Sequence, residues 1–197
     1  KRIKELEKSE ILEVANQLLK EKNKSTIEKL LWVFRFHRFP FDEEFILSLA
    51  RQKGNSKNRV KEFAIDALKF LKSENIRTFA LERIPKTRNP ATFTDILISN
   101  YKSGDNKLLT EIANKFNDEH IIESLASSYS DIYTTNSTKE CKEPLEILYS
   151  KMNCGIHRYG IIQILIDNNV LSDRIREELE FDSYLETREL IKENKKR

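Results

Sequence analysis

Glycine and proline are scarce in this chain, four of each among 197 residues, and cysteine, methionine and tryptophan are scarcer, at two, one and one. So few turn formers, together with little valine, exclude a protein of many short strands, because sheets need β-branched runs and frequent tight turns. No run of eighteen apolar residues occurs, which excludes a transmembrane helix. Cys141 and Cys154 are too few for a disulfide framework, and no secretory leader is visible. They read as free thiols in a reducing cytoplasm. A chain that starts at Lys1 without Met leaves room for a preceding domain, so residues 1–197 are read as a single domain, with the C-terminal part of a longer protein as an open alternative.

A strong charge excess is also missing. The formal charge is only +3, and much of it sits at the ends, in Lys1, Arg2 and Lys4 and in Lys192, Lys195, Lys196 and Arg197. A nucleic-acid binder would usually cluster a larger excess on one face. What is present is 39% hydrophobic and 34% charged residues, rich in Leu and Ile, a mixture that supports a packed and well-solvated helical protein.

Apolar residues recur at helical spacing along almost the whole chain. The pattern predicts helices over 3–19, 26–39, 42–49, 59–71, 76–84, 92–101, 105–116, 118–127, 138–151, 157–168, 173–180 and 184–193. Three capping boxes open helices at Ser25–Glu28, Ser137–Glu140 and Ser183–Glu186, where a hydroxyl accepts an early amide and a glutamate reaches back. Asp42, Asp105 and Asp118 are further caps, Asn89-Pro90 places proline in a first helical turn, and Pro40, Gly54 and Gly104 are stops. A dozen short helices on short links predict an all-α fold, a right-handed α-solenoid of short antiparallel helix pairs.

One frame recurs. Val60-Lys61-Glu62-Phe63-Ala64-Ile65-Asp66-Ala67-Leu68 and Ile76-Arg77-Thr78-Phe79-Ala80-Leu81-Glu82-Arg83-Ile84 each carry Ala three residues after a basic position and a large aliphatic seven after it. His157-Arg158-Tyr159-Gly160-Ile161-Ile162-Gln163-Ile164-Leu165 keeps the frame with Ile161 in place of Ala, and Thr187-Arg188-Glu189-Leu190-Ile191 is a truncated copy. Asn55-Ser56 and Asp182-Ser183 stand a few residues ahead of their basic positions. This pattern resembles the HEAT repeat, and the whole chain is similar in flavour to small bacterial HEAT-like proteins. The resemblance implies that small Ala lets helices approach, that the aliphatic fills the core between them, and that the basic residue pairs with a polar cap of its own or the next repeat.

Candidate sites are few. Trp32, Arg35, His37 and Arg38, amid Phe34, Phe36 and Phe39, form the most unusual stretch. On the predicted helix Arg35 and Arg38 share a face that a carboxylate or phosphate could meet, while an apolar stripe at this spacing reads as core. Lys61, Arg77, Arg158 and Arg188 could line an acidic partner's groove, or be consumed in structural pairing. Cys154 and His157, three apart, could ligate one metal, but a zinc site needs about four ligands, and only Cys141 and His120 remain as soft candidates. Cys154 reads instead as a small buried residue, with Gly155 permitting the turn. No cofactor or catalytic motif is found. The sequence therefore points to a non-catalytic scaffold that takes a protein or peptide on a concave face, with Trp32, Arg35, Arg38, Lys61, Arg77 and Arg158 as its contact residues. The alternative is nucleic-acid binding, as in the HEAT-like alkylpurine DNA glycosylases; a role like that of the HEAT-like bilin lyases has no specific motif behind it.

Overall fold

The computed structural model describes residues 3–53 and 59–194, and among these every regular element is a helix. None of these helices is long and apolar enough to cross a membrane. The expected stop at Gly54, the polar pair Asn55-Ser56 and the terminal charges at Lys1, Arg2, Lys195, Lys196 and Arg197 lie outside the described residues.

Two compact units are present. The first takes the described residues up to Arg83 together with Asp95–Asn100. It contains α1 (Lys8–Lys20), α2 (Lys24–Phe34), α3 (Glu43–Ala50), α4 (Arg59–Leu68), α5 (Glu74–Arg83) and the one-turn α7 (Leu97–Asn100). Helix α4 packs against both α2 and α3, and its Val60, Phe63, Ala64, Ile65, Ala67 and Leu68 are all buried. Asn100, also buried, ties this unit together: its amide donates to the carbonyls of Leu71 and Ile96, and its oxygen accepts from the Ser73 amide.

The second unit, Ile84–Thr94 and Tyr101 onward, contains α6 (Ala91–Thr94), α8 (Asn106–Lys115), α9 (Glu119–Thr135), α10 (Lys142–Lys151), α11 (Gly155–Asp167), α12 (Asp173–Glu178) and α13 (Leu185–Asn194). Here α8 packs on α10, α9 on α6, α10 and α11, and α11 on α13. Helix α11 ends with Asn169 in the left-handed region at φ 56°, its amide bonded to the Ile166 carbonyl and the Val170 amide to that of Leu165. That is a Schellman stop, with asparagine where glycine is usual.

In its three full copies the recurrent frame is core, and Ile191 of the truncated copy lies outside the residues whose side chains are described. Ala64 and Ala80, Ile161, and the aliphatics Leu68, Ile84 and Leu165 are all fully buried. Several boundaries differ from the sequence reading, each for a local reason. Helix α2 is capped by Asn23, whose side chain accepts from the Ser25 and Thr26 amides, rather than by Ser25. It ends at Phe34 rather than at Phe39, and residues 35–39 are turn and irregular chain. The expected 92–101 helix is broken into α6 and α7 where Thr94, buried, turns its hydroxyl to the Ala91 carbonyl and to Ser128. Helix α9 runs eight residues past its expected end, to Thr135, because Tyr129, Ile132 and Tyr133 continue its buried face.

The second capping box does not form as expected. Thr138 rather than Ser137 accepts from the Glu140 amide, Ser137 donates to the Asn168 side chain, and the Glu140 carboxylate turns away to a loop, taking hydrogen bonds from Ser103, the Tyr101 hydroxyl and the Gly104 amide. Gly104 has φ 92°, a conformation that glycine adopts without strain. Donation from Ser103, then Tyr101 and Gly104, holds the Glu140 carboxyl below the ordinary glutamate value near 4.5. A pKa lowered in the folded state gives stability that is complete above the unfolded value and is lost as pH falls through the folded one. Unfolding curves of wild type and Glu140→Gln are therefore expected to differ above pH of about 5 and to converge in acid. Curves offset equally at every pH would contradict this role for the carboxylate.

Candidate functional site

The aromatic stretch after α1 builds a packed cluster. Phe34 and Phe39 are buried edge to face at 5.0 Å, and Phe39 also meets Phe41 and Phe45. Trp32 and Phe63 of α4 meet edge to face with ring centres 5.1 Å apart. The Arg35 guanidinium lies 4.3 Å from the Trp32 ring centre and 4.8 Å from that of Phe63, while its Nε reaches Asp66 at 2.7 Å. Two ring faces and a carboxylate thus occupy this cation, an arrangement that stabilises guanidinium more than ammonium. Arg38 does not share a helical face with Arg35, as the sequence reading expected, because α2 has already ended; it is exposed in the irregular segment that follows. His37 is bonded through Nε2 to the Ile3 carbonyl at 2.7 Å.

The basic positions of the repeat frame are drawn inward as well. Arg158 donates to the Asp182 carboxylate at 3.0 Å, and the Asp182 side chain is only 3% exposed. Arg188 donates to the Asp182 carbonyl, and the Tyr184 amide to its carboxylate. So the polar cap ahead of one basic residue holds that residue and the preceding one together. Asp182, rather than Ser183, therefore provides the side-chain acceptor at the start of α13. Arg77 is 13% exposed beside Glu74, and Lys61 is half-buried.

A second cluster forms around α9 and α11. Cys154 stands in the capping position of α11 with extended backbone, but its side chain makes no capping bond. Gly155 follows because a Cβ there would come within 2.9 Å of the Tyr184 Cβ, so only glycine lets the chain pass this close. Helix α11 also packs against α9, where Glu119, Glu123 and Ser127 follow one another at one-turn spacing. Asn153 donates to Glu119, and a ring nitrogen of His157, Nε2, lies 3.2 Å from the Ser127 hydroxyl. Ligand atoms of Glu123, Cys154 and His157 all lie within 4.8 Å of one another. His157 Nδ1 is buried and has no hydrogen-bond partner among the described residues.

Sequence reasoning noticed the Cys154–His157 spacing but, with only Cys141 and His120 as spare soft candidates, expected no metal site and read Cys154 as a buried residue; Cys154 is in fact half-buried. Cys141 is instead a buried thiol, pushed up by burial to about 11, and His120 is exposed. The third member of the cluster, Glu123, stands 31 residues before Cys154. Both thiols are free.

No family model, curated protein or solved structure matches this chain.

Proposed function

We propose that this chain is a HEAT-like binding scaffold that takes a protein or peptide partner, acting through complementary shape and charge without chemistry of its own. The observation that carries this reading is the fate of the recurring side chains. Ala64, Ala80, Ile161, Leu68, Ile84 and Leu165 are spent on packing, and Arg158 and Arg188 converge on one cap. Residues that recur at the period of the fold hold hairpins together, and a stack of such hairpins presents its remaining surface as a broad binding face. Of the six contact residues expected from the sequence, Arg38 keeps the most exposed side chain, whereas Arg35 and Arg158 are held inside ion pairs. Arg38 is thus the best placed to meet an acidic partner.

Affinity capture with the full chain should recover one partner at a fixed ratio, and Arg38→Glu should weaken that complex about tenfold, the equivalent of about 1.4 kcal/mol. Heparin retention should be weak and only shallowly dependent on salt. A steep salt dependence, equivalent to several released counterions, would replace a protein partner with nucleic acid.

A further inference from the structure

We propose that Glu123, Cys154 and His157 bind one divalent cation of the zinc class, leaving its fourth coordination position open. The donor set is a thiolate, an imidazole and a carboxylate, which suits borderline-soft zinc; calcium and magnesium seek oxygens alone. Three protein ligands with one position left for water or another donor is the pattern of a reactive or exchangeable site rather than a closed structural one.

The geometry of the histidine points the same way. A metal-bound imidazole commonly uses its other ring nitrogen to donate to a neighbouring oxygen, which fixes both the tautomer and the ring's orientation. In His157 the nitrogen placed for that role is Nε2, 3.2 Å from the Ser127 hydroxyl, and the tautomer that donates from Nε2 is the one that metal binding at Nδ1 requires. With Nε2–H donating, Nδ1 carries a lone pair, and it is this atom that is buried without a partner. A buried acceptor left unpaired is costly, and a cation there would satisfy it.

Cys154 contributes a side chain that helix capping does not use. Gly155 and Tyr184 fix the backbone beside it, while Ser127 and Glu123 project from adjacent turns of α9. The ligand atoms lie within 4.8 Å of one another, and tetrahedral zinc would bring them to a spacing of about 3.5 Å. Rotation of the Glu123 side chain, which has three soft torsions, can bring the set together with little movement of the backbone. This site is independent of which partner the scaffold takes.

The test is a titration of the full chain with cobalt(II), followed by displacement with zinc. One equivalent should bind and produce a thiolate-to-cobalt charge-transfer band, and one equivalent of zinc should abolish it. Cys154→Ser should remove the band and weaken binding about a hundredfold, and Glu123→Gln and His157→Gln should each weaken it at least about tenfold. Cys141→Ser should change nothing, because that thiol lies outside the cluster. Should any ligand variant fail to fold, alkylation of the wild-type protein decides: zinc should protect Cys154 from iodoacetamide. Absence of the band, a band that survives Cys154→Ser, or no protection of Cys154 would reduce the cluster to a hydrogen-bonded contact and overturn the proposal.

Discussion

Replacing Asp182 by alanine is expected to destabilise the second unit by about 3 kcal/mol, the lower end of the range for breaking a buried ion pair. The lower end applies because the Arg158 side chain keeps 22% of its surface exposed and retains some hydration after its partner is gone. Three contacts are at stake: the Arg158 guanidinium, the Tyr184 amide at 2.8 Å, and the alignment of the Asp182 carbonyl with Arg188. Asp182→Asn should cost less, since an amide oxygen can still accept from Tyr184 and the carbonyl remains. In urea the midpoint should fall while the slope stays unchanged, which reports a change in stability rather than in compactness. A double-mutant cycle with Arg158→Met then isolates the pair. If Asp182→Ala leaves the unfolding free energy within about 0.5 kcal/mol of wild type, the size of an ordinary surface change, the cap does not hold α11 to α13.

Truncating the aliphatic that stands seven residues after each basic position should cost as much or more. Leu68→Ala, Ile84→Ala and Leu165→Ala each remove a fully buried branched side chain and are expected to lose about 2–5 kcal/mol, depending on how far the surroundings close over the cavity. The converse change tests the same frame from the other side: Ala64→Leu and Ala80→Leu push extra carbons into sites with no exposed surface and should lose about 1–3 kcal/mol. Leu12→Ala and Phe181→Ala serve as controls, because those side chains are 44% and 86% exposed and should change little. Equal losses at frame positions and controls, measured by denaturant melts, would show that the recurrence has no structural meaning.

The sequence carried the helical class and the buried frame because both depend on periodicity, which is local. Where it misled, tertiary contacts had overridden local signals. The run from Trp32 to Phe39 is apolar enough for a continuing helix, yet Phe34, Phe39, Phe41 and Phe45 satisfy their apolar surface by packing on one another from irregular backbone. Pro40 adds to this, since a residue that precedes proline is pushed away from helical geometry. The helix expected over 118–127 continues because Ser128 is buried against the Thr94 hydroxyl and Tyr129, also buried, donates to the Leu109 carbonyl. Glu140 fitted a capping box by spacing, and three donors from the 101–104 loop outcompeted its own helix end.

The cluster around Cys154 was half legible for a similar reason. Cys154 and His157 are close in sequence, so their spacing drew notice. Glu123 and Ser127 belong to a helix that only the packing of α9 on α11 brings near. Their one-turn separation marks them as neighbours on one face, but nothing in the chain says which helix that face will meet.

Lys151 gathers three carbonyl oxygens from the tail of α8, those of Ala113 at 2.8 Å, Asn114 at 3.0 Å and Phe116 at 2.8 Å. An ammonium group can aim its hydrogens at three converging oxygens, whereas the flat guanidinium of arginine cannot, and an acetylated lysine would have a single hydrogen to share among them. Partial burial already draws some of the proton's hold away from this amine. The end of α8 is thus sealed by one compact, removable charge, and neutralising it would unstopper three carbonyls at once.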